Sequence, residues 1–413
     1  MHGQDTLDAR AGAPTSASPR LVSSYAGAIQ RVLFTLPRYV FQWAAYLGIY
    51  EDLLAKLPRR TQLVFLVHAS VRPLLDEILV RLALADRSTI IEASDLMQFS
   101  VWVEDTCVVT QDDATGAVFL TEPAALVRIE DARIADLLVS QTDLRVHRTD
   151  LYFEGGNILI GDDFWLLGAD HAQHSLHLGM VQPAEGEPPL AAIRRSFGAH
   201  IDRSRTLYLV ASTLPVPCQL ERPLRLGGEA WTEVLYAGNP PGTVQPIFHI
   251  DMFVTLAGRD REGRPIALIG DPRAAGEILS EPALPQAMAP IYDDIARALA
   301  AEGLHVIRNP LPLIHHDDPE ERKRKWYFAS SNNALVQISS TDKKVWLPSY
   351  GHGAWAQLAA TDAANRQIWE ELGFQVTMLT DCHALAYNLG GVHCLKKYVA
   401  RGEAIPADMA ATP

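Results

Sequence analysis

Four short polar stretches interrupt otherwise apolar sequence: Trp-Val-Glu-Asp at 102–105, Glu-Gly-Gly-Asn at 154–157, Phe-His-Ile-Asp at 248–251 and Gly-Gly-Val-His-Cys at 390–394. Together they supply a thiol, an imidazole and several carboxylates, the parts needed for nucleophilic catalysis. Cys394 is the candidate nucleophile. A lone cysteine near a chain end is ordinarily structural, but Gly390 and Gly391 let the backbone turn tightly there and approach a ligand. A reactive thiolate needs a basic or cationic neighbour, and His249-Ile250-Asp251 offers one. On a strand, residues two apart face the same way, so His249 and Asp251 would point into one site. Glu154 would fix the tautomer of His249 and stabilise its protonated form, as the third member of a nucleophilic triad does. Taken singly, the His–Asp pair reads as a surface pair and Glu154 as a turn cap. The set is what argues for chemistry.

Asp105 lies in so apolar a stretch that it needs a partner. With Asp251 it makes a pair of carboxylates matched to a planar guanidinium, whose N–H donors form bidentate pairs with carboxylates. An arginine-like substrate is the chemical consequence.

The elements that must position these groups recur along the chain. Each polar stretch lies just before, or at the start of, a hydrophobic strand that enters a hairpin, usually followed by a helix and another strand. Gln62–Val67, a helix carrying Leu74 to Leu82, and Thr89–Ile91 begin the series. Hairpins are expected around Asp112–Gly116, Gly161–Asp163, Gly258–Arg264 and Thr341–Lys343, between apolar runs. Helices should carry Leu126 to Leu138, Ala191 to Phe197, Ile291 to Leu299, and Ile368 to Leu372. A final strand, Val392–Tyr398, would close the series beside the first unit. Repeated ββαβ units arranged radially protect their sheet edges, so an α/β fold is expected: a five-bladed α/β propeller around a central active site. Residues 1–24 read as a disordered leader, 25–59 as an N-terminal helical segment, 60–400 as the catalytic domain and 401–413 as a flexible tail. The extra length between Thr213 and Pro246, and between Pro310 and Glu321, reads as rim loops.

A net charge of −13 argues against nucleic acid, which needs a basic stripe. The run Arg322–Lys325 reads as a solvated loop. No apolar run approaches the ~20 residues of a membrane span, and the stretch Val32–Leu57 reads as packed against the domain rather than on a membrane. The four cysteines form no CxxC pair, so neither a disulfide framework nor a zinc site is expected. The cytoplasm is the expected location. The oligomeric state is left open, with a homodimer among the options.

The four motifs resemble those of the guanidino-group modifying enzymes, the pentein superfamily, over about residues 60–400. His249-Ile250-Asp251 matches its HxD, Glu154-Gly155-Gly156 its Glu-Gly-Gly, and Cys394 its glycine-preceded C-terminal cysteine, in a form similar to agmatine and peptidyl-arginine deiminases. Val103-Glu104-Asp105 resembles the Val-Glu-Asp of dimethylarginine hydrolases. The resemblance implies a deiminase in which Cys394 attacks the guanidinium carbon, Asp105 and Asp251 hold the cation, and His249, backed by Glu154, protonates the leaving nitrogen and then activates water. Trp102 and Asn333 complete the expected substrate-binding set. It implies no metal and no organic cofactor. An amidinotransferase, with an amine in place of water, is the near alternative. A catalytically silent binding propeller and a papain-like protease are the distant ones. The complete residue set speaks against the first, and the late position of Cys394 against the second.

Overall fold

A computed structural model describes residues 19–280 and 285–402. Its strands are long apolar runs because the sheets are covered on both faces. All of Phe164–Gly168 is buried, as is all of Gln62–His68 except its first residue. The fold is mixed α/β.

Five sheets repeat one topology, an antiparallel pair whose second strand pairs in parallel with a third. These are Val108–Asp112, Val118–Glu122 and Arg145–Arg148; Ile158–Ile160, Phe164–Gly168 and Thr206–Val210; Val254–Arg259, Pro265–Asp271 and His305–Pro310; and Leu335–Ile338, Lys343–Ser349 and Gln375–Asp381. Helical chain lies between the second and third strands, as a parallel crossover requires. In the fifth sheet the antiparallel pair comes from the two ends of the chain. Lys396–Arg401 pairs with Ile29–Leu36, which continues in parallel to Gln62–His68 and Ser88–Ala93.

Three expectations are corrected here. The segment 25–59 is not mainly a helix: Ile29–Leu36 is a strand and only Ala44–Lys56 is α-helical. Isolated apolar runs do not distinguish the two, and the strand is fixed by a partner more than 360 positions away. Within the leader, Pro19–Leu21 is a strand paired with Val108–Asp112, while residues 1–18 lie outside the described residues. Arg401, assigned to a flexible tail, ends a strand. Its guanidinium stacks 3.9 Å from the Tyr398 ring and donates to the carbonyls of Ser24, Tyr25, Gly27 and Val336. Residues 403–413 lie outside the described residues.

The two insertions are not loops either. Leu220–Leu226, Glu229–Leu235, Lys323–Phe328 and Leu313–Asp318 form one additional four-stranded sheet, in that order. The basic run falls largely on its strand Lys323–Phe328, where Asp317 stands opposite Arg324 and takes a bidentate pair at 2.7 and 2.8 Å. Opposite charges in cross-strand register stabilise such a pairing.

The polar motifs sit on short 3-10 turns at the heads of strands: Val103–Thr106, Gly155–Asn157 and Ile250–Met252. The second turn packs against both of the others. The first is tied to the chain end by a buried charge cluster, in which Glu104 accepts from Lys396 Nζ and Lys397 Nζ, each at 2.9 Å. Lys396 Nζ also lies 3.9 Å above the Tyr398 ring. Burial would raise the Glu104 pKa, but Lys396, Lys397 and His393 outweigh it and hold the carboxyl at about 2. Burial lowers Lys396 to about 8, so the pair is ionic at neutral pH.

This cluster fixes the strand that follows Cys394, so its loss should be felt globally. Glu104→Gln leaves two buried ammonium groups without a counter-charge and is expected to lower unfolding free energy by about 3–5 kcal/mol. Denaturant unfolding checks this; a change within ~0.5 kcal/mol, as at an ordinary surface position, would show the cluster to be dispensable.

Candidate active site

The sequence motifs converge. A Cβ placed on Gly156 would stand 2.7 Å from Asp105 Oδ1, 2.8 Å from His249 Nδ1 and 3.4 Å from Asp251 Oδ2, so all three groups crowd one point that only glycine leaves open. Gly155 is needed for a similar reason, since its Cβ would fall 1.9 Å from the carbonyl oxygen of Glu104. Asn157 joins two motifs: its Oδ1 accepts from Ile250 N at 3.1 Å and from Gln245 Nε2 at 2.9 Å.

His249 and Asp251 meet by a route other than the one expected. His249 is extended, but Ile250–Met252 is a 3-10 turn rather than a strand. His249 Nε2 lies 2.8 Å from Glu154 Oε2, and Nδ1 lies 3.5 Å from Asp105 Oδ1. Burial pushes the imidazole pKa down, but the charge of Asp105, the hydrogen bond and charge of Glu154, and the charge of Asp251 outweigh it and lift the pKa to about 9. The ring therefore carries a proton at neutral pH.

Cys394 is 3% exposed and borders a cavity of about 500 Å³. Its thiol faces Asp251 Oδ2 at 3.6 Å. Burial, then the charges of Asp251 and Asp105, hold its pKa well above the ordinary thiol value. Asn333 lies behind it. Asn333 Nδ2 donates to Sγ at 3.2 Å, and Oδ1 accepts from the backbone N–H groups of His393 (2.7 Å) and Cys394 (3.3 Å). Asn333 is fully buried and, like Asp251, is not among the residues that border the cavity; its contacts are with the sulfur and backbone of Cys394. The two glycines before Cys394 likewise make room for protein groups. A Cβ at Gly391 would lie 2.4 Å from Asn333 Oδ1, and one at Gly390 would lie 2.3 Å from the Trp102 ring. Trp102 does border the cavity, with Phe248, Tyr152 and Leu389.

The two aspartates differ in state. Asp105 is already engaged: Oδ2 pairs with Arg128, and Oδ1 accepts from Gly156 N at 3.2 Å. Arg128 also reaches Asp131 at 3.2 Å; burial would lower its pKa, but Asp105, Glu154 and Asp131 raise it. Asp251 is 1% exposed. Its Oδ2 meets His393 Nδ1 at 2.9 Å, while Oδ1 has no hydrogen-bond partner among the described residues.

Sequence reasoning missed Arg128, His171 and His393. The signal for His393 was its place beside Cys394; a lone arginine ahead of a helix, and a histidine early in the helix Ala169–His177, carried none. Ligand-type atoms of Glu154, His171 and His249 lie within 4.8 Å of one another, the spacing of a cation site. These groups already bond to one another: Glu154 N donates to His171 Nδ1 at 3.1 Å, and Glu154 Oε2 takes His249 Nε2.

No protein-family model matches the chain, and no curated protein matches it in sequence. Solved structures do. A protein provisionally named an agmatine deiminase superposes with a TM-score of 0.60 at 13% identity, over 94% of this chain and 97% of its own. The agmatine deiminase of C. jejuni gives 0.59 at 11% identity, over 92% and 96%. A dimethylarginine dimethylaminohydrolase gives 0.37 at 14% identity, over 89% and 99%, a superposition too loose to argue from. The chain shares the fold of agmatine deiminases, the fold expected of the guanidino-group modifying superfamily.

Proposed function

We propose that the protein is a guanidine deiminase, which converts a guanidinium substrate and water to a ureido product and ammonium through a covalent adduct on Cys394. The observation that carries this reading is the buried carboxylate of Asp251, whose Oδ2 faces the Cys394 thiol at 3.6 Å and whose Oδ1 has no hydrogen-bond partner among the described residues. A buried carboxylate oxygen without a partner is costly, and a substrate cation would satisfy it. The shared fold with agmatine deiminases supports the same chemistry. Five sheets of one topology, with polar turns in contact and the chain ends paired, support closure into a five-bladed ring around this centre.

On this reading the free enzyme is at rest, its thiol protonated and its imidazole charged. Binding a guanidinium places positive charge beside Asp251, offsets the carboxylate's share of what raises the thiol pKa, and lets the thiol proton pass to solvent. The thiolate adds to the guanidinium carbon. His249 gives its proton to one nitrogen, the C–N bond breaks and ammonia departs, leaving an amidinium thioester on sulfur. Neutral His249 then takes a proton from water as its oxygen adds to that carbon. The C–S bond breaks with its electron pair returning to sulfur, and the hydroxyl proton leaves to ammonia as the ureido carbonyl forms. Glu154 keeps the imidazole oriented and basic enough to be recharged. Asp105, already bound by Arg128, acts on His249 and the Gly156 backbone. Its direct contact with substrate requires Arg128 to move or to share it. Transfer to an amine, the alternative raised by the sequence, has no feature of the described residues in its favour.

Incubation with arginine, agmatine, a dimethylarginine and a peptidyl arginine, with ammonia and ureido product measured, tests the activity. Equimolar ammonia and ureido product are expected from one of them. Cys394→Ala should reduce turnover to background with folding intact, whereas replacing Cys107, Cys218 or Cys382 should not. Persistent turnover in Cys394→Ala would remove the nucleophile assignment. Asp251→Asn should cost about 2–5 kcal/mol in kcat/KM, the scale for truncating one partner of a buried charge pair.

The pH dependence follows from the two shifted groups. Thiol ionisation is uphill in the free enzyme, so kcat/KM should rise with pH through neutrality. It should then fall above about 9, where His249 loses the proton that it must donate. Glu154→Gln removes a carboxylate that raises the His249 pKa, and should move that alkaline break down by roughly one pH unit or more. An unmoved break would refute the role of Glu154.

A further inference from the structure

His171 has no part in the chemistry above, yet it stands in the same cavity. It is 8% exposed, sits in the first turn of the helix Ala169–His177, and packs edge-to-face on His249 at 5.6 Å and on Tyr152 at 5.1 Å. Its tautomer is set by the protein: Glu154 N–H donates to Nδ1 at 3.1 Å, so Nδ1 is an acceptor and the proton of the neutral ring is on Nε2. Nε2 has no hydrogen-bond partner among the described residues, and His171 lines the cavity with Glu154, His249 and Cys394. Burial and the charge of His249 keep the ring neutral, with a pKa pushed down to about 3. The site thus holds two imidazoles of opposite character, one kept charged and one kept neutral with a fixed N–H donor.

We propose that His171 binds the hydrolytic water, its Nε2–H donating to the water oxygen so that the water protons face His249 and the Glu154 carboxylate and a lone pair faces the carbon on Cys394. This rests on the deiminase reading and adds a residue to its second half. A water needs two to four polar partners to be held, and a fixed donor on one side with acceptors on the other orients it for attack. The balance is unchanged: the water oxygen forms the new C–O bond and its proton passes to His249 once that ring has released its own proton to ammonia. His171 neither gains nor loses a proton.

Two substitutions separate this role from a structural one. The amide oxygen of His171→Asn can replace Nδ1 and still accept from Glu154 N–H, but no donor reaches the cavity. The amide nitrogen of His171→Gln can replace Nε2–H, but the acceptor for Glu154 is lost. With agmatine as probe, rapid quenching and intact-mass measurement should show that His171→Asn forms the Cys394 adduct at close to the wild-type rate but breaks it down about tenfold or more slowly, while His171→Gln retains more hydrolysis. Adduct breakdown at the wild-type rate in His171→Asn, or the reverse order of the two variants, would overturn the proposal in favour of a purely structural histidine. Absence of any adduct in the wild-type enzyme during ammonia release would overturn the covalent reading itself. High-resolution crystal structures give a readout that needs no substrate: an ordered water on Nε2 in the wild type, kept in His171→Gln and lost in His171→Asn, is expected. No water there in the wild type would also overturn the proposal.

Discussion

Four carboxylates meet at the buried centre of this protein, and how each is neutralised organises everything around it. Glu104 is bound by Lys396 and Lys397, Asp105 by Arg128, and Glu154 by His249. Asp251 has His393 on one oxygen and no partner on the other among the described residues. Carboxylates removed from water demand hydrogen bonds and counter-charge, and removing one partner from such a pair costs several kcal/mol. Three of the four demands are met within the chain. The fourth carboxylate lies against the Cys394 thiol, with one oxygen that no described residue bonds.

The fold serves this arrangement by bringing distant segments together at short range. Polar 3-10 turns at the heads of three strands contact one another through glycines, whose missing Cβ atoms are what allow carboxylate and imidazole to crowd together. Cys394 comes from the other direction, just before a strand that pairs with Ile29–Leu36. Cys394 is thus placed by contacts spanning nearly the whole chain, among them the backbone bond from Glu104 N to Cys394 O at 3.2 Å and the clasp of Asn333. The hairpins can form locally, whereas the site can be complete only when both chain ends have joined.

Much of the site was legible because its residues are of the wrong type for their surroundings. Glu, Asp and His beside apolar strands have few explanations other than partnership, and Gly-Gly pairs mark close approach. What was not legible depends on pairing at a distance. Ile29–Leu36 is an apolar run whose strand character is decided by Lys396–Arg401, and the inserted hairpins became a sheet only through the parallel pairing of Glu229–Leu235 with Lys323–Phe328. Asn333 was found as a site residue, but spacing could not say that its side chain would clasp Cys394 from behind. Lys396 and Lys397, adjacent in an apolar strand, could have been read as the partners that Glu104 required. Arg128 could not, because a single arginine before a helix is ordinary in any sequence.

The account stands on the claim that burial, together with the charge of Asp251, keeps Cys394 protonated until a cation arrives. The ionisation of that one thiol, followed as thiolate absorbance of the wild-type protein minus that of Cys394→Ala across pH, measures it directly. The account predicts a pKa well above that of a free thiol, brought down by Asp251→Asn, which removes the charge and keeps the shape. A thiol that titrates in the ordinary range in the wild type, or one indifferent to Asp251→Asn, would contradict it.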